Sequence, residues 1–493
     1  MKRLAVTLAL ACAALALAST AQAGLKVGVA DDHPVGPADN GAAFFAIMND
    51  VGLTEVRLTV GWDATRPTTI LNRAEIESVL PVATLRGIRV IFSVTPMKAR
   101  SITATPAAYG QFVAFLELVA RSFPTVKNVI VGNEPNQPHF WQPQFDARGR
   151  GVSGAAYEAL LARGYDSLKG VDPTINVIGV GLSPRGGDNP RASGNISTSP
   201  VKFLQGMGTA YRASGRKKPL MDEFAYHPYP KKDTDSLTEG YLWPNAGVTN
   251  LDRIKQAFWD AFGGTAQKTF EQGLRVKLDE VGWQVAVLPG ALPSYFGAES
   301  IAPTTEDAQA AIYPDLLRYV ACDQAVEAVL FFGLQDEPNL DRWQAGLMRA
   351  DGSLRASYNT VKAEIAETGG NCVGTMRSWR HSTTVDGATA TFPKLRRLPR
   401  RVRNWSFLAR ADEDALFDAG IYRITRGRSR VKARTMTNSG RLDAYRTRYV
   451  RFPKRKLRPG KYVYSIRIRA EANAKRLTRK TSRSFVVFGP RHR

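Results

Sequence analysis

The sequence predicts a (β/α)8 barrel followed by a smaller all-β sandwich domain. Three observations carry that prediction. The chain has 493 residues, enough for at least two domains, one of them a barrel of about 250 residues or more. Short β-branched runs alternate with amphipathic stretches up to about Cys372. Beyond that point the texture changes to short alternating strands in a strongly basic setting. Hydrophobic residues make up 44% and charged residues 23%, which excludes a disordered chain.

The start reads as a leader. Met1-Lys2-Arg3 is basic, residues 4–18 are apolar, and Ala21-Gln22-Ala23 is an A-x-A cleavage site. Residues 1–23 are therefore expected to be a signal peptide and the mature chain to begin at Gly24. The apolar run is shorter than the ~20 residues a membrane span needs. No later segment qualifies as a span, so a secreted, extracellular or cell-wall-associated protein is expected.

The candidate strands follow in order: Leu25–Ala30, Glu55–Val60, Arg89–Val94, Val126–Val131, Ile175–Val180, Leu220–Ala225, Leu274–Leu278 and Val326–Phe332. Between them lie helices. In 106–123 Tyr109, Phe112, Leu116, Val119 and Phe123 share one face. In 153–170 Ser153 is placed to cap, and Tyr157, Leu160, Leu161 and Leu168 form the stripe. A helix over 249–262 starts at Thr249-Asn250. The stretch 306–321 has helical spacing, but Pro314 predicts a kink or a late start. Strand–helix alternation means a parallel sheet with right-handed crossovers. Eight strands close naturally into a barrel over residues 24–372; an open, doubly wound sheet is the alternative.

Cysteine and histidine usage is sparse. Cys12 leaves with the leader, so Cys322, just before the eighth strand, and Cys372, after the last helix, remain to pair. Two cysteines are too few for a zinc site. The histidines (His33, His139, His227, His381, His492) lack ligand spacing, so neither metal nor cofactor is expected.

In a parallel barrel, the residues at the strand C-terminal ends are neighbours at one mouth. The second strand carries Arg57. The fourth ends in Asn133-Glu134-Pro135, the sixth in His227-Pro228-Tyr229, and the seventh in Asp279-Glu280-Val281-Gly282-Trp283. Two carboxylates thus project from strands four and seven. Glycoside cleavage needs such a pair: one carboxylic acid protonates the leaving oxygen, while an ionised carboxylate attacks the sugar carbon or activates water. Asp279 and Glu223 are the rival carboxylates. Strand alternation would turn Asp279 away from the face of Glu280, and Glu223 lies early in its strand.

Asn-Glu-Pro on strand four, Glu-x-Gly-Trp on strand seven, Arg on strand two and His-x-Tyr on strand six resemble clan A glycoside hydrolases over roughly residues 24–366. Gly132-Asn133-Glu134-Pro135-Asn136 with Phe140-Trp141 looks most like family 39, and next like family 5. The resemblance implies Glu134 as acid/base and Glu280 as the nucleophile of a retaining glycosidase that cleaves O-glycosyl bonds. It implies Asn133 as a contact to the sugar 2-hydroxyl, Arg57 as the cation beside the nucleophile, and His227 and Tyr229 as the strand-six pair. Trp141 and Trp283 are expected to stack on sugar rings. The eighth strand departs from the family pattern: its end reads FFGLQDEP, with no tryptophan, and Phe332 or Trp343 is left to substitute. A non-catalytic carbohydrate- or wall-binding protein on the same barrel is the alternative reading.

Charge divides the chain. Residues 373–493 hold 33 Lys and Arg against 7 Asp and Glu; the remainder holds 35 against 37. The segment L-R-P-G-K-Y-x-Y before and in Lys461–Arg469 resembles bacterial Ig-like or fibronectin-like modules, and Ser484–Phe488 reads as a closing strand. Such a basic module seeks anions, and an anionic wall polymer is the expected partner beside a carbohydrate substrate. No RNA-binding signature or aromatic-interleaved basic helix is present, so nucleic acid is not expected. A monomer is expected.

Overall fold

The computed structural model describes residues 24–103, 105–394, 397–398, 405–424, 432–453 and 457–488; the expected leader lies outside the described residues. Eight parallel strands form a closed barrel: β1 (Lys26–Ala30), β2 (Glu55–Trp62), β3 (Arg89–Pro96), β4 (Asn128–Val131), β5 (Asn176–Leu182), β6 (Glu223–Tyr226), β7 (Val276–Val281) and β8 (Val326–Phe332). β1 pairs with β8 from Lys26 opposite Ala328 to Ala30 opposite Phe332, which rules out the open sheet. Helices α1 (Ala42–Val51), α2 (Arg73–Leu85), α3 (Pro106–Ser122), α4 (Ser153–Val171), α5 (Pro200–Ser214), α6 (Leu251–Phe262), α7 (Glu306–Ala321) and α8 (Ala356–Thr368) follow the strands in turn. Among the described residues, no helix is long and apolar enough to cross a membrane.

The chain forms two compact units. One reaches to Leu58 and adds Ala74–Val90 and Val276–Ser378; the other holds Thr59–Arg73, Ile91–Arg275 and Trp379–Arg493.

Within the first unit, α7 neither starts late nor breaks at Pro314. Thr305 caps it, its hydroxyl accepting from the Ala308 amide at 3.1 Å. Pro314 has no N–H for the Ala310 carbonyl one turn back. The Thr360 hydroxyl of α8 donates to that carbonyl instead, at 2.8 Å, which satisfies the freed acceptor. Cys322, at the end of α7, is disulfide-bonded to Cys372, with Cα atoms 4.6 Å apart. Past β8, Arg355 is fully buried and grips both carboxylate oxygens of buried Asp336, at 2.7 and 2.6 Å.

In the second unit, α4 begins at Ser153, so Ser153 is not its cap. Val152 takes that position, and the Ser153 hydroxyl turns to the Thr198 hydroxyl at 3.4 Å. A short 3-10 turn, Val248–Asn250, precedes α6. The Asn250 side chain accepts from the Tyr241 and Gly247 amides there, which ties the loop to the helix start.

The C-terminal region is a β-sandwich. One sheet has the order β10 (Arg397–Leu398), β17 (Phe485–Val487), β15 (Gly460–Ala470), β12 (Ala415–Ile424), β13 (Lys432–Leu442), with β16 (Leu477–Thr481) also on β15. The other has β14 (Arg448–Arg451), β11 (Ser406–Arg410), β9 (Thr389–Thr391). Phe407, Ala409 and Val450 from the smaller sheet share one core with Phe417, Ile421, Tyr464, Ile466 and Phe485 from the larger. The alternation of Tyr462, Tyr464, Ile466 and Ile468 with polar residues drives this, because period-two apolar positions all face one side of a strand.

The sandwich is docked on α6 through buried charge. Arg476 donates to Asp260 of α6 at 2.9 Å and to Glu413 at 2.9 and 2.6 Å, all three side chains being buried. Burial pushes the carboxyls of Asp260 and Glu413 up, against the pull of Arg476. Beside them the His381 ring stacks on Trp259 at 3.8 Å and bonds Glu271 at 2.8 Å. Replacing Arg476 by Met would leave two buried carboxyls without their cation. The expected loss is about 3–5 kcal/mol in denaturant unfolding. A loss below about 1 kcal/mol, the value of an exposed pair, would mean that water already screens the cluster.

Candidate active site

The chain leaves β4 through strained backbone. Val129, Ile130 and Val131 are buried, and Gly132 (φ 84°) still donates to the Val94 carbonyl of β3 at 2.7 Å. Glu134 then adopts φ 37°, the left-handed region, which a residue with a β-carbon enters at a cost of about 1–3 kcal/mol. Three anchors hold it there. Its amide donates to the Gly181 carbonyl at 2.9 Å, its carbonyl accepts from Gln137 at 2.8 Å, and the next turn is bolted down by Asn136. The fully buried Asn136 side chain donates to the Ser183 and Thr198 carbonyls and accepts from the Ser183 amide, all within 3.1 Å. Gly181 (φ 64°) sits where the register of β5 against β6 slips between Val180 and Leu182, which turns its carbonyl toward Glu134.

The Glu134 side chain meets an imidazole. His227 follows β6 directly, is wholly buried, and lies with Nδ1 3.0 Å from Glu134 Oε1. A β-carbon at Gly181 would come within 3.4 Å of His227 Nε2, so glycine leaves room for the ring. Tyr229 packs its ring edge-on against His227, with centroids 6.4 Å apart. The carboxylate keeps 14% side-chain exposure and opens on a hollow of ≈ 620 Å³ walled by Gln137, His139, Phe140, Gly194 and Asn195. The Asn195 amide donates to Gln137 at 3.2 Å, so the two loops that form the wall are tied together.

Arg57 and the end of β7 form a second cluster. Arg57, 7% exposed, donates to Asp279 at 3.1 Å and to Glu280 in a short bond. Burial works against its charge, but Glu280 and Asp279 outweigh burial and hold the guanidinium above its ordinary value. This corrects two expectations. β7 runs through Val281, so Asp279 and Glu280 lie within the strand and not past its tip. Strand alternation also fails to part them. The register of β7 against β8 shifts between Leu278 and Val281, and this irregularity lets both carboxylates reach the same guanidinium. The other rival, Glu223, starts β6 and accepts from Asn176 at 2.8 Å, at the opposite end of the strands.

The tryptophans also differ from expectation. Trp141 is buried between Tyr109 and Tyr157, with ring centroids 6.4 and 5.9 Å away. Trp283 is 1% exposed, its ring edge-on to Tyr313. Both rings are packed in the protein and neither is an open platform. In contrast, the half-buried Phe140 and exposed His139 border the hollow beside Glu134. Asn133 is half-buried at the turn before Glu134.

Sequence reasoning missed three positioning residues: Asn136, Gly181 and Asp31. Asp31, just past β1, accepts from the Leu334 and Gln335 amides after β8 at 2.7 and 3.3 Å, and bonds His33 Nδ1 at 2.6 Å. The Asn after Glu-Pro and the Asp-x-His spacing were the available signals. Both are too common to single out without a fold.

No family model matches the sequence, and no curated protein matches it. Solved structures with a similar fold include a variant of GH5_18 from Streptomyces cattleya in complex with Manb1-4GlcNAc (TM-score 0.49, 14% identity, 76% of this chain and 85% of that one). A family 39 glycoside hydrolase from the gut symbiont Bacteroides cellulosilyticus WH2 gives TM-score 0.46 and 16% identity over 87% of this chain and 81% of that one. A glucosidase from Croceicoccus marinus gives 0.46 and 13% over 88% and 93%. The chain spans 46% of the Bacteroides uniformis beta-glucuronidase chain that it also matches.

The Asp31–His33 pair has a pH signature. The hydrogen bond to Asp31 raises the His33 pKa to about 9 against the effect of burial. A raised histidine pKa adds stability that is fully present below the unfolded value of about 6.5 and lost as pH rises through about 9. Denaturant midpoints measured from pH 6 to 10 should therefore fall more for the native protein than for His33→Gln. Parallel curves would contradict the pair.

Proposed function

We propose that the protein is a secreted retaining glycoside hydrolase with Glu134 as acid/base and Glu280 as nucleophile. The observation that carries the reading is the strained placement of Glu134. A glutamate is held at φ 37° at the end of a barrel strand, with its carboxylate on a buried imidazole and beside an open hollow. Strain of this kind persists where the surrounding structure fixes a residue for use. Glu280, on β7 of the same parallel barrel, carries the counter-charge of Arg57. Strand C-terminal ends of such barrels build active sites on one rim.

In this reading Glu280 attacks the anomeric carbon while Glu134 gives its proton to the departing glycosidic oxygen, and the C–O bond breaks. A glycosyl ester on Glu280 results. Glu134, now a carboxylate, takes a proton from water; the water oxygen bonds to the anomeric carbon and Glu280 is released. Arg57 steadies the Glu280 carboxylate before attack and after release. His227 and Tyr229 orient Glu134, and Asn133 serves the sugar 2-hydroxyl. The hollow beside Glu134 has amides at Gln137 and Asn195 and a ring at Phe140, groups suited to a hydroxyl-rich leaving group. Residues 24–372 form the catalytic domain and 373–493 the accessory domain.

The test is hydrolysis of a panel of polysaccharides and aryl glycosides by the native protein, Glu134→Gln and Glu280→Gln. On the substrate that the native protein cleaves, each variant should lose about 10²–10⁴-fold or more in kcat/KM. Equal activity in all three proteins would refute the assignment. Absence of cleavage by the native protein across the panel would favour a non-catalytic sugar-binding barrel.

A further inference from the structure

We infer that the solvent face of the larger sandwich sheet is a binding site for a linear anionic polysaccharide, with Tyr422 as its stacking platform and Arg467 and Arg479 as its carboxylate contacts. The inference rests on the sandwich alone and is independent of the catalytic reading.

The site begins at a glycine. Ala419 and Ile421 of β12 point into the core, so Gly420 and Tyr422 face the opposite side. A β-carbon on Gly420 would meet the Tyr422 ring at 2.7 Å. The half-buried tyrosine ring thus lies flat across the strand over Gly420, on the face away from the core. Its flanks are small and hydroxylated. Gly420 is opposite Thr437 of β13 on one side and Ser465 of β15 on the other, and Ser465 is opposite Thr481 of β16. The Ser465 and Thr481 hydroxyls are 3.2 Å apart. A flat ring in a row of hydroxyls offers what a pyranose needs: an apolar face to stack on and hydrogen-bonding groups at its edge.

The next row supplies charge. Arg467 of β15 is directly opposite Arg479 of β16, and both are exposed. Like charges directly opposite on neighbouring strands destabilise a sheet. Asp418, opposite Arg467 on its other side, can offset one of the two cations. Arg469 and Lys461, exposed on the same face of β15, add two more. The row therefore holds a cation excess that the sheet itself does not match, next to a sugar-sized platform. Spaced carboxylates along a polyuronate fit both features, since guanidinium binds carboxylate in fork geometry. Nucleic acid fits less well. The neighbouring tyrosines, Tyr462 and Tyr464, are turned into the core, so among the described residues of β12, β15 and β16 no second ring stands beside Tyr422 on this face for successive bases.

The experiment is equilibrium binding of the full-length protein to immobilised polygalacturonate at about 0.05 M salt, with soluble polygalacturonate, neutral dextran and duplex DNA as competitors. Soluble polygalacturonate should displace the protein, and dextran and DNA should not. Arg467→Glu with Arg479→Glu should weaken binding about tenfold or more. Tyr422→Ala should weaken it about fivefold, and Tyr422→Phe should keep it. Tyr422→Leu, which still covers Gly420 but has no ring, guards against a folding defect and should behave like Tyr422→Ala. Native-like binding by Tyr422→Leu, DNA competing as well as polygalacturonate, or no binding by the native protein would each overturn the inference.

Discussion

Arg57 is a cation in a barrel wall, and the barrel must match it. A guanidinium this buried is stable only where carboxylates reach it with good geometry; removing one partner of such a pair costs about 3–5 kcal/mol. Asp279 and Glu280 supply that match. Regular alternation would send two adjacent side chains to opposite faces, so the demand is met by an irregularity in β7 against β8. The charge requirement thus shapes the strand. It also fixes Glu280, whose carboxylate can no longer choose among rotamers. Fixing a carboxylate before a substrate arrives is what catalysis by position requires.

Glu134 is fixed by different means. Its position depends on backbone hydrogen bonds to Gly181 and Gln137 and on the buried Asn136 clamp, not on a cation. The imidazole of His227 is its side-chain partner. The two glutamates therefore sit in unlike surroundings: one on a permanent cation, the other on a histidine beside a hollow. Unlike surroundings are the physical means by which two carboxyl groups take on unlike roles.

Much of this was legible in the sequence. Apolar runs such as Val129–Val131 and Val326–Phe332 announce buried strands, and their alternation with helical stripes leads to the closed barrel. Glu134 and Glu280 stood out as two carboxylates at strand ends, and Arg57 as the cation that the family resemblance sets beside the second. What stayed hidden depends on tertiary partners. Pro314 read as a kink or a late start because the Thr360 hydroxyl that replaces its missing partner comes from another helix. Ser153 read as a cap because the competing Thr198 contact lies 45 residues away. Trp141 and Trp283 read as platforms because a sequence does not say which rings other rings will cover. Asp279 read as facing away because strand alternation assumes an unbroken ladder.

The sandwich adds a fixed, basic partner to the helix it docks on. Its anchoring cluster of Arg476, Asp260 and Glu413 joins it to α6 by buried charge, so it is held and not merely tethered. The central claim concerns the two glutamates, and the most direct measurement is the stereochemistry of chemical rescue by azide. With an activated aryl glycoside, azide should restore turnover to Glu280→Gly and give the glycosyl azide of inverted configuration, because azide replaces the missing nucleophile in one displacement. With Glu134→Ala it should give the azide of retained configuration, because azide intercepts the ester on Glu280. The reverse pattern, or rescue of neither variant by azide while both hydrolyse the substrate at the native rate, would contradict the roles assigned to Glu134 and Glu280.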